Sequence, residues 1–390
     1  MATLARWLRR LVILCGLAVV AFLLFAPAYV EKSRNRVVEH APYDVSATAQ
    51  ALHDSLTIGD LHADPLLWKR DLTERGTRGH VDIPRLIEGN VALQVFTAVT
   101  KSPAGQNYDH NETDAMDNIT LLAVGQLWPL PTWSSLYERA LYQAQKLHRF
   151  QERSEGRLRI IRTEADLDAL LELKAAGDDV VGGLLGIEGA HPLEGDIDKL
   201  QGLVDAGYRL IGLQHFFDNA LGGSLHGSND QGLTEFGRDV VAASVAQGLI
   251  LDVAHSSPQV VRDVIEMTDV PIVLSHGGIQ KVCPVKRNLP DALMQEIAAT
   301  GGVIGIGYWA DAVCDASPAG IARAIRGAIE VVGANHVALG SDFDGSVETT
   351  FDTSELAALT QAMLDEGLSE SQIRKVAGEN MLRVIRARLD

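Results

Sequence analysis

The chain has 390 residues, 46% hydrophobic and 22% charged, enough for one large barrel or two ordinary domains. A formal net charge of −17 excludes the basic surface that nucleic acid requires and disfavours polyanionic substrates.

In chain order, Arg6, Arg9 and Arg10 come first, ahead of a nearly uncharged apolar run from about Leu11 to Val30. The run is close to the ~20 residues that span a bilayer. Residues 1–30 therefore read as a transmembrane anchor, with a signal peptide cleaved near Ala26-Pro-Ala28 as the alternative. Cys15 follows Leu14, where a lipoprotein site needs a small residue, which argues against lipidation. Lys32, Arg34 and Arg36 put positive charge on the second flank as well, so charge sets orientation only weakly. Either reading places the bulk of the chain outside the cytoplasm, periplasmic or extracellular. Residues 31–50 are polar and unpatterned and read as a linker, leaving 51–390 for the folded domain.

From there, apolar β-type runs alternate with helical patterns. The strands are expected at Leu56–Asp60, Val91–Val99, Val181–Ile187, Leu210–Gln214, Leu249–Val253, Ile272–Ser275, Val303–Tyr308 and Val337–Gly340. Helices are expected at Glu235–Gln247, Pro258–Met267, Leu289–Ala299, Ile321–Val332 and Ser354–Glu366. Such alternation implies parallel βαβ units, and eight strands over this length fit an α/β fold of the (β/α)8 TIM-barrel type. A doubly wound sheet is the structural alternative. A long insertion around 108–157, with helical periodicity at Leu136–Phe150, is expected to elaborate a loop over the active face. The final helix, Glu370–Leu389, carries a basic run that reads as a solvated face.

The chemistry gathers at strand ends, where such barrels place it. His62 and Asp64 form a His-x-Asp pair whose side chains share one face of a strand. Glu188, His215, His255, His276 and Asp342 each follow a further apolar run. One histidine at a strand end is more often a hydrogen-bonded core residue than a ligand. Four histidines and three carboxylates at successive strand ends change that balance. Mixed imidazole and carboxylate donors suit zinc or a similar transition metal. Glu188 is the natural bridge between two ions, with His62 and Asp64 completing one and His255 and His276 the other. A water shared by two cations ionises near neutral pH, so the reaction class is metal-assisted hydrolysis, of an amide in the first place. Setting Cys15 aside leaves Cys283 and Cys314, for which count alone leaves a disulfide and two separate thiols equally open.

These residues resemble the membrane dipeptidases, the renal dipeptidase-like zinc metallopeptidases. The motifs are Asp60-Leu-His62-Ala-Asp64, Gly186-Ile-Glu188-Gly-Ala-His191, Gln214-His215, Ala254-His255-Ser256, Ser275-His276, Arg287-Asn-Leu-Pro290 and Gly340-Ser-Asp342-Phe-Asp344-Gly345. The resemblance covers nearly all of the chain after residue 50 and implies a (β/α)8 barrel with two zinc ions. It implies that His62 and Asp64 bind one zinc, that His255 and His276 bind the other, and that Glu188 bridges. By the same resemblance His215 polarises the scissile carbonyl, Arg287 takes the free carboxylate of a dipeptide, and Asp342 contacts the substrate amino end and shuttles protons. It also implies a Cys283–Cys314 disulfide. The family is often dimeric, but no interface is readable here, so a homodimer is left open.

Two departures bear on specificity. After His215 the chain reads Phe216-Phe-Asp-Asn219 and then a Gly/Ser-rich run through Gly227, unlike the mammalian members. Asp311 stands near Cys314, where those members carry an aromatic residue facing the substrate. An acid there would favour a basic or small second residue, or would pair with Arg287. A D-residue in second position is compatible with the tolerance of the family.

Two other readings compete. A related amidohydrolase could act on a non-peptide amide or lactam. Many such barrels begin with His-x-His and bridge their metals with a modified lysine, whereas His-x-Asp, Glu188 and Arg287 favour the dipeptidase branch. A surface-anchored binding protein on a retired barrel would be expected to have lost ligands, and none of the expected ones is missing.

Overall fold

The computed structural model describes residues 2–389. Nine parallel strands form its sheet: β1 (Ile58–Ala63), β2 (Val91–Val99), β3 (Leu158–Ile160), β4 (Val181–Glu188), β5 (Tyr208–Gly212), β6 (Ile250–Asp252), β7 (Val273–Gly277), β8 (Val303–Ile306) and β9 (Val337–Leu339). All but β3 close into an eight-stranded barrel, in the order β2-β1-β9-β8-β7-β6-β5-β4, with β4 returning to pair β2. Each expected strand is present. The ninth, β3, has three residues and pairs the start of β4 at 181–183, before β5 takes over at 185–187.

These strands are buried on both faces, which is why they read as continuous apolar runs rather than alternating ones. Leu61, Leu93, Leu184, Leu210, Ile250, Val273, Val303 and Ala338, one from each barrel strand, share a single cluster. Met381, Val384 and Ile385 of the last helix join them as a plug. The basic residues of that segment turn away, Arg386 pairing with Glu164 and Asp168. The last segment is a helix interrupted by a π turn at Lys375–Glu379. There Gly378 passes so close to β1 that a Cβ would lie 1.9 Å from the Thr57 carbonyl oxygen.

The N-terminal helix runs Ala2–Arg34, and its Leu4–Arg34 stretch is long and apolar enough to cross a membrane. The end of this helix and the residues after it pack on the barrel instead of trailing free. Glu31 is buried between Arg70 and Arg78 at 2.7 and 2.5 Å. Val37 bridges to Thr349, and a helix follows at Ala47–Asp54. The insertion supplies helices Asn118–Gly125 and Leu136–Arg153.

Candidate active site

The site lies where β1, β4, β6, β7 and β9 end. Two matching clamps set its frame. Asp60 on β1 accepts hydrogen bonds from the backbone N–H and hydroxyl of Ser341, just past β9, and from the N–H of His62. Asp252 on β6 accepts in the same way from the N–H and hydroxyl of Ser275 on β7, and from the N–H of Ala254. Each clamp locks one strand end to another and holds the backbone next to a functional side chain. The Ser275 oxygen also lies 3.2 Å from His62 Nδ1 and 2.9 Å from His276 Nδ1. Both imidazoles are thereby turned with Nε2 inward. This is the kind of second contact that sets ring orientation in metal sites.

The inward atoms converge on Glu188. Its Oε1 is 3.1 Å from His255 Nε2 and 3.5 Å from both His62 Nε2 and His276 Nε2, while Oε2 is 3.2 Å from His215 Nε2. Asp64 Oδ2 and Asp342 Oδ1 lie 3.6 and 3.9 Å from His62 Nε2. Thr97 donates to Asp64 Oδ1 at 2.5 Å and fixes that carboxylate. All of these residues are buried. His255 and Asp342 hold left-handed backbone angles, φ 61° and 59°, a conformation that non-glycine residues keep only where the surroundings enforce it.

Burial opposes charge on Glu188, Asp342 and the four histidines. It pushes Glu188 well above the usual carboxylate range, with help from Asp64, and Asp342 up to about 8. It holds His215 down near about 4 and His255 and His276 well below the ordinary imidazole value. Burial would do the same to His62, but Asp64, Glu188 and Asp342 overcome it and lift that imidazole to about 10. The result is neutral His215, His255 and His276 and a protonated His62 facing crowded carboxylates; with a cation in place of the His62 proton this is the donor set a transition metal takes.

Three observations test that fit. His62 Nε2 is buried with no hydrogen-bond partner among the described residues. His255 Nε2 and His276 Nε2 are 2.9 Å apart, closer than twice a zinc–nitrogen bond of about 2.0–2.1 Å, so both can reach one ion. The donor atoms of His62/Asp64/Glu188, Glu188/His215/His255 and His62/His276/Asp342 each fall within 4.8 Å of one another. The residues fit a metal centre.

Arg287 is buried beside this cluster. It donates to the His276 carbonyl at 3.0 Å, and its Nε has no hydrogen-bond partner among the described residues. Cys283 and Cys314 form a disulfide, and Cys283 stands four residues before Arg287. Asp311 is exposed, and Trp309 is the residue that faces Arg287, with the guanidinium 5.3 Å from its ring centre. Sequence reasoning missed Trp309 and its partner Tyr108, whose hydroxyl accepts from the indole N–H at 3.0 Å. It also missed His226, stacked on Phe216 and 5.1 Å from the ring of His255. A histidine inside the Gly/Ser-rich run was the available signal for His226; Tyr108 had none. Asn111 donates twice to the His226 carbonyl, which clasps the insertion over the site.

Known proteins share this fold. The membrane dipeptidase family, peptidase family M19, matches residues 46–389. The chain belongs to that family of metallopeptidases. Dipeptidase aclJ of Aspergillus oryzae is 34% identical over 222 residues, 53% of this chain and 51% of that protein. The chain thus matches about half the length of that curated relative. Among solved structures, the dipeptidase AC, a metallopeptidase of family M19, superposes with a TM-score of 0.67 at 25% identity, covering 86% of this chain and 99% of the other. A metallopeptidase from Rhodobacter sphaeroides, solved with a phosphinate mimic of the dipeptide L-Ala-D-Ala, gives a TM-score of 0.67 at 24% identity, covering 85% and 99%. M19 membership and the (β/α)8 barrel agree with the expectations from sequence.

Proposed function

We propose that this M19 member is a binuclear zinc dipeptidase that hydrolyses unblocked dipeptides outside the cytoplasm. Residues 51–390 are its catalytic unit and the N-terminal helix is its membrane anchor. The observation that carries the reading is the convergence of three imidazole Nε2 atoms on one buried Glu188 oxygen. His62 and Asp64 would hold one zinc, His255 and His276 the other, and Glu188 would bridge. Two ions bound there would supply a water ionised near neutral pH and would polarise the scissile carbonyl.

The chain's own groups do the rest. Arg287, buried with its Nε unpartnered among the described residues, binds the C-terminal carboxylate of the substrate through its planar fork. Asp342, placed beside His62, takes the substrate amino end and carries a proton toward the leaving amine. His215 steadies the developing oxyanion. Its Nδ1 lies 3.1 Å from the Lys101 carbonyl, which can only accept, so Nδ1 carries a proton. Neutral His215 therefore presents a lone pair at Nε2, and donation to the substrate oxygen requires a second proton, stabilised by the negative charge that develops there.

The test uses the full chain in detergent with zinc, because shortening the protein to begin at residue 41 would take Glu31 away from Arg70 and Arg78. Release of free amino acids is measured from unblocked dipeptides and their C-terminally amidated counterparts. Dipeptides with a second D-residue are included, as the ligand of the Rhodobacter protein suggests. Cleavage of free dipeptides but not of amides is expected. No cleavage of either, with two zinc ions bound, overturns the reading in favour of another amide or lactam.

A further inference from the structure

The N-terminal helix leaves the barrel at its catalytic mouth, and its join to the barrel is held by buried polar contacts. Glu31 is locked between Arg70 and Arg78, and Asn35 Oδ1 accepts the Ser346 N–H at 2.8 Å, four residues after Asp342. The apolar window of this helix is only 6% buried, so the protein itself does not cover it. Beside it lies the insertion helix Asn118–Gly125. A Cβ on Gly125 would sit 3.8 Å from Phe22 and 3.9 Å from Pro27. A cavity of about 410 Å³ is lined by residues of both helices. Leu67, Ser102, Gln106, Ile119 and Ser346 line it and also line the cavity that holds Glu188 and Asp342.

The middle of the insertion is apolar, while its charged residues, among them Asp109, Glu112 and Asp114 on one side and Arg149, Glu152 and Arg153 on the other, flank it. Residues 118 to 137 include no charged side chain, in a chain that is 22% charged. Outside the N-terminal helix, the exposed large hydrophobic side chains among the described residues are Met116, Leu121, Leu127, Leu130 and Ile197. Three of these lie within the uncharged stretch, and Met116 stands just before it. Leu127, 58% exposed, is held at φ 56°, a conformation that no burial of its side chain rewards.

We propose that the catalytic mouth rests on the bilayer that holds the N-terminal helix, with Leu121, Leu127 and Leu130 seated in the lipid interface. The inference rests on the anchor reading above. Depth supports it: Gly125 lies level with Phe22 to Pro27, three to eight residues before the apolar run ends at Val30. At 1.5 Å per residue that is about 5–12 Å inside the run, and interfacial helices lie about 5–10 Å into the headgroup–acyl boundary. A patch of this size on a soluble face would be an aggregation liability; beside an anchor it has a lipid partner.

The experiment uses the full chain with Cys15→Ser, reconstituted into phosphatidylcholine vesicles with or without brominated acyl chains. Single Leu121→Cys, Leu127→Cys and Asp178→Cys variants carry a fluorophore; Asp178 is exposed at the opposite end of the barrel, ahead of β4. Quenching by brominated lipid at 121 and 127, and none at 178, is the expected result. Equal absence of quenching at all three, with the chain resisting alkaline carbonate extraction, overturns the docking and leaves the anchor standing. Release of the chain by carbonate, or loss of its first residues by cleavage, overturns the anchor and the docking together.

Discussion

Asp342 and Asp344 sit two residues apart after β9, both buried, in opposite surroundings. Asp344 pairs with Arg70 and accepts the N–H groups of His80 and Val81 at 2.8 and 3.2 Å. Against a burial that would raise it, Arg70 and His80 hold its carboxyl well below the usual range. Asp342 shares its space with Asp64, Glu188 and His62, and burial pushes it up to about 8. One turn therefore carries a completed ion pair on one side and an incomplete charge set on the other. A buried acid with its cation supplied by the chain is structural; a cluster of three acids whose imidazoles, His62 apart, are neutral is short of positive charge and built to receive it.

The sharpest way to break this comparison is Glu188→Gln. Removing the shared carboxylate should cost more than the ~10²–10³-fold typical of one electrostatic catalytic group. Zinc measured by elemental analysis should fall with activity; unchanged zinc and rate would sink the bridging role. Next is Asp344→Asn, which takes from Arg70 one of its two carboxylate partners and should cost about 3–5 kcal/mol, read from denaturant unfolding. Asp342→Asn in metal-free protein should unfold no earlier than wild type, because it relieves crowding among acids. If the two variants destabilise equally, the contrast fails.

Ser275→Ala sharpens the orienting role of the clamp: zinc affinity should drop about 10–100-fold while the fold persists. Lys146, near Arg70 and Glu31, donates to the carbonyls of Leu66 and Trp68 at 2.5 and 2.6 Å. Burial and then Arg70 lower its pKa to about 7. Between that value and the unfolded lysine value the unfolded chain binds more protons, so stability should rise with pH from about 7 towards 10. Lys146→Met should flatten that rise, and an unchanged pH profile would show that the lysine is not perturbed.

The barrel strands were legible because parallel strands buried on both sides need unbroken apolar runs. The side chains that converge on Glu188 were legible because they stand at or just past the ends of such runs, whereas Arg287, ten residues past β7, was read only by resemblance. The three-residue β3 was not, since a pattern needs more residues than that to register. Residues 31–50 read as a linker because Glu31 and Asn35 look solvent-bound, and only Arg70, Arg78 and Ser346, far along the chain, show otherwise. Asp311 likewise looked placed to face Arg287, but the short helix Ala310–Val313 turns it outward, and Trp309 before it points inward.

By itself the sequence determined the eight barrel strands, the βα alternation and the chemical kinds of the converging side chains. These are local properties, set by burial periodicity and residue type. Tertiary structure alone decided that Asp60 and Asp252 clamp Ser341 and Ser275, that Tyr108 and His226 close over the site, and that the N-terminal helix is fixed at the catalytic mouth. Each of those depends on partners brought together by barrel closure, whose separation along the chain leaves no trace in any local pattern.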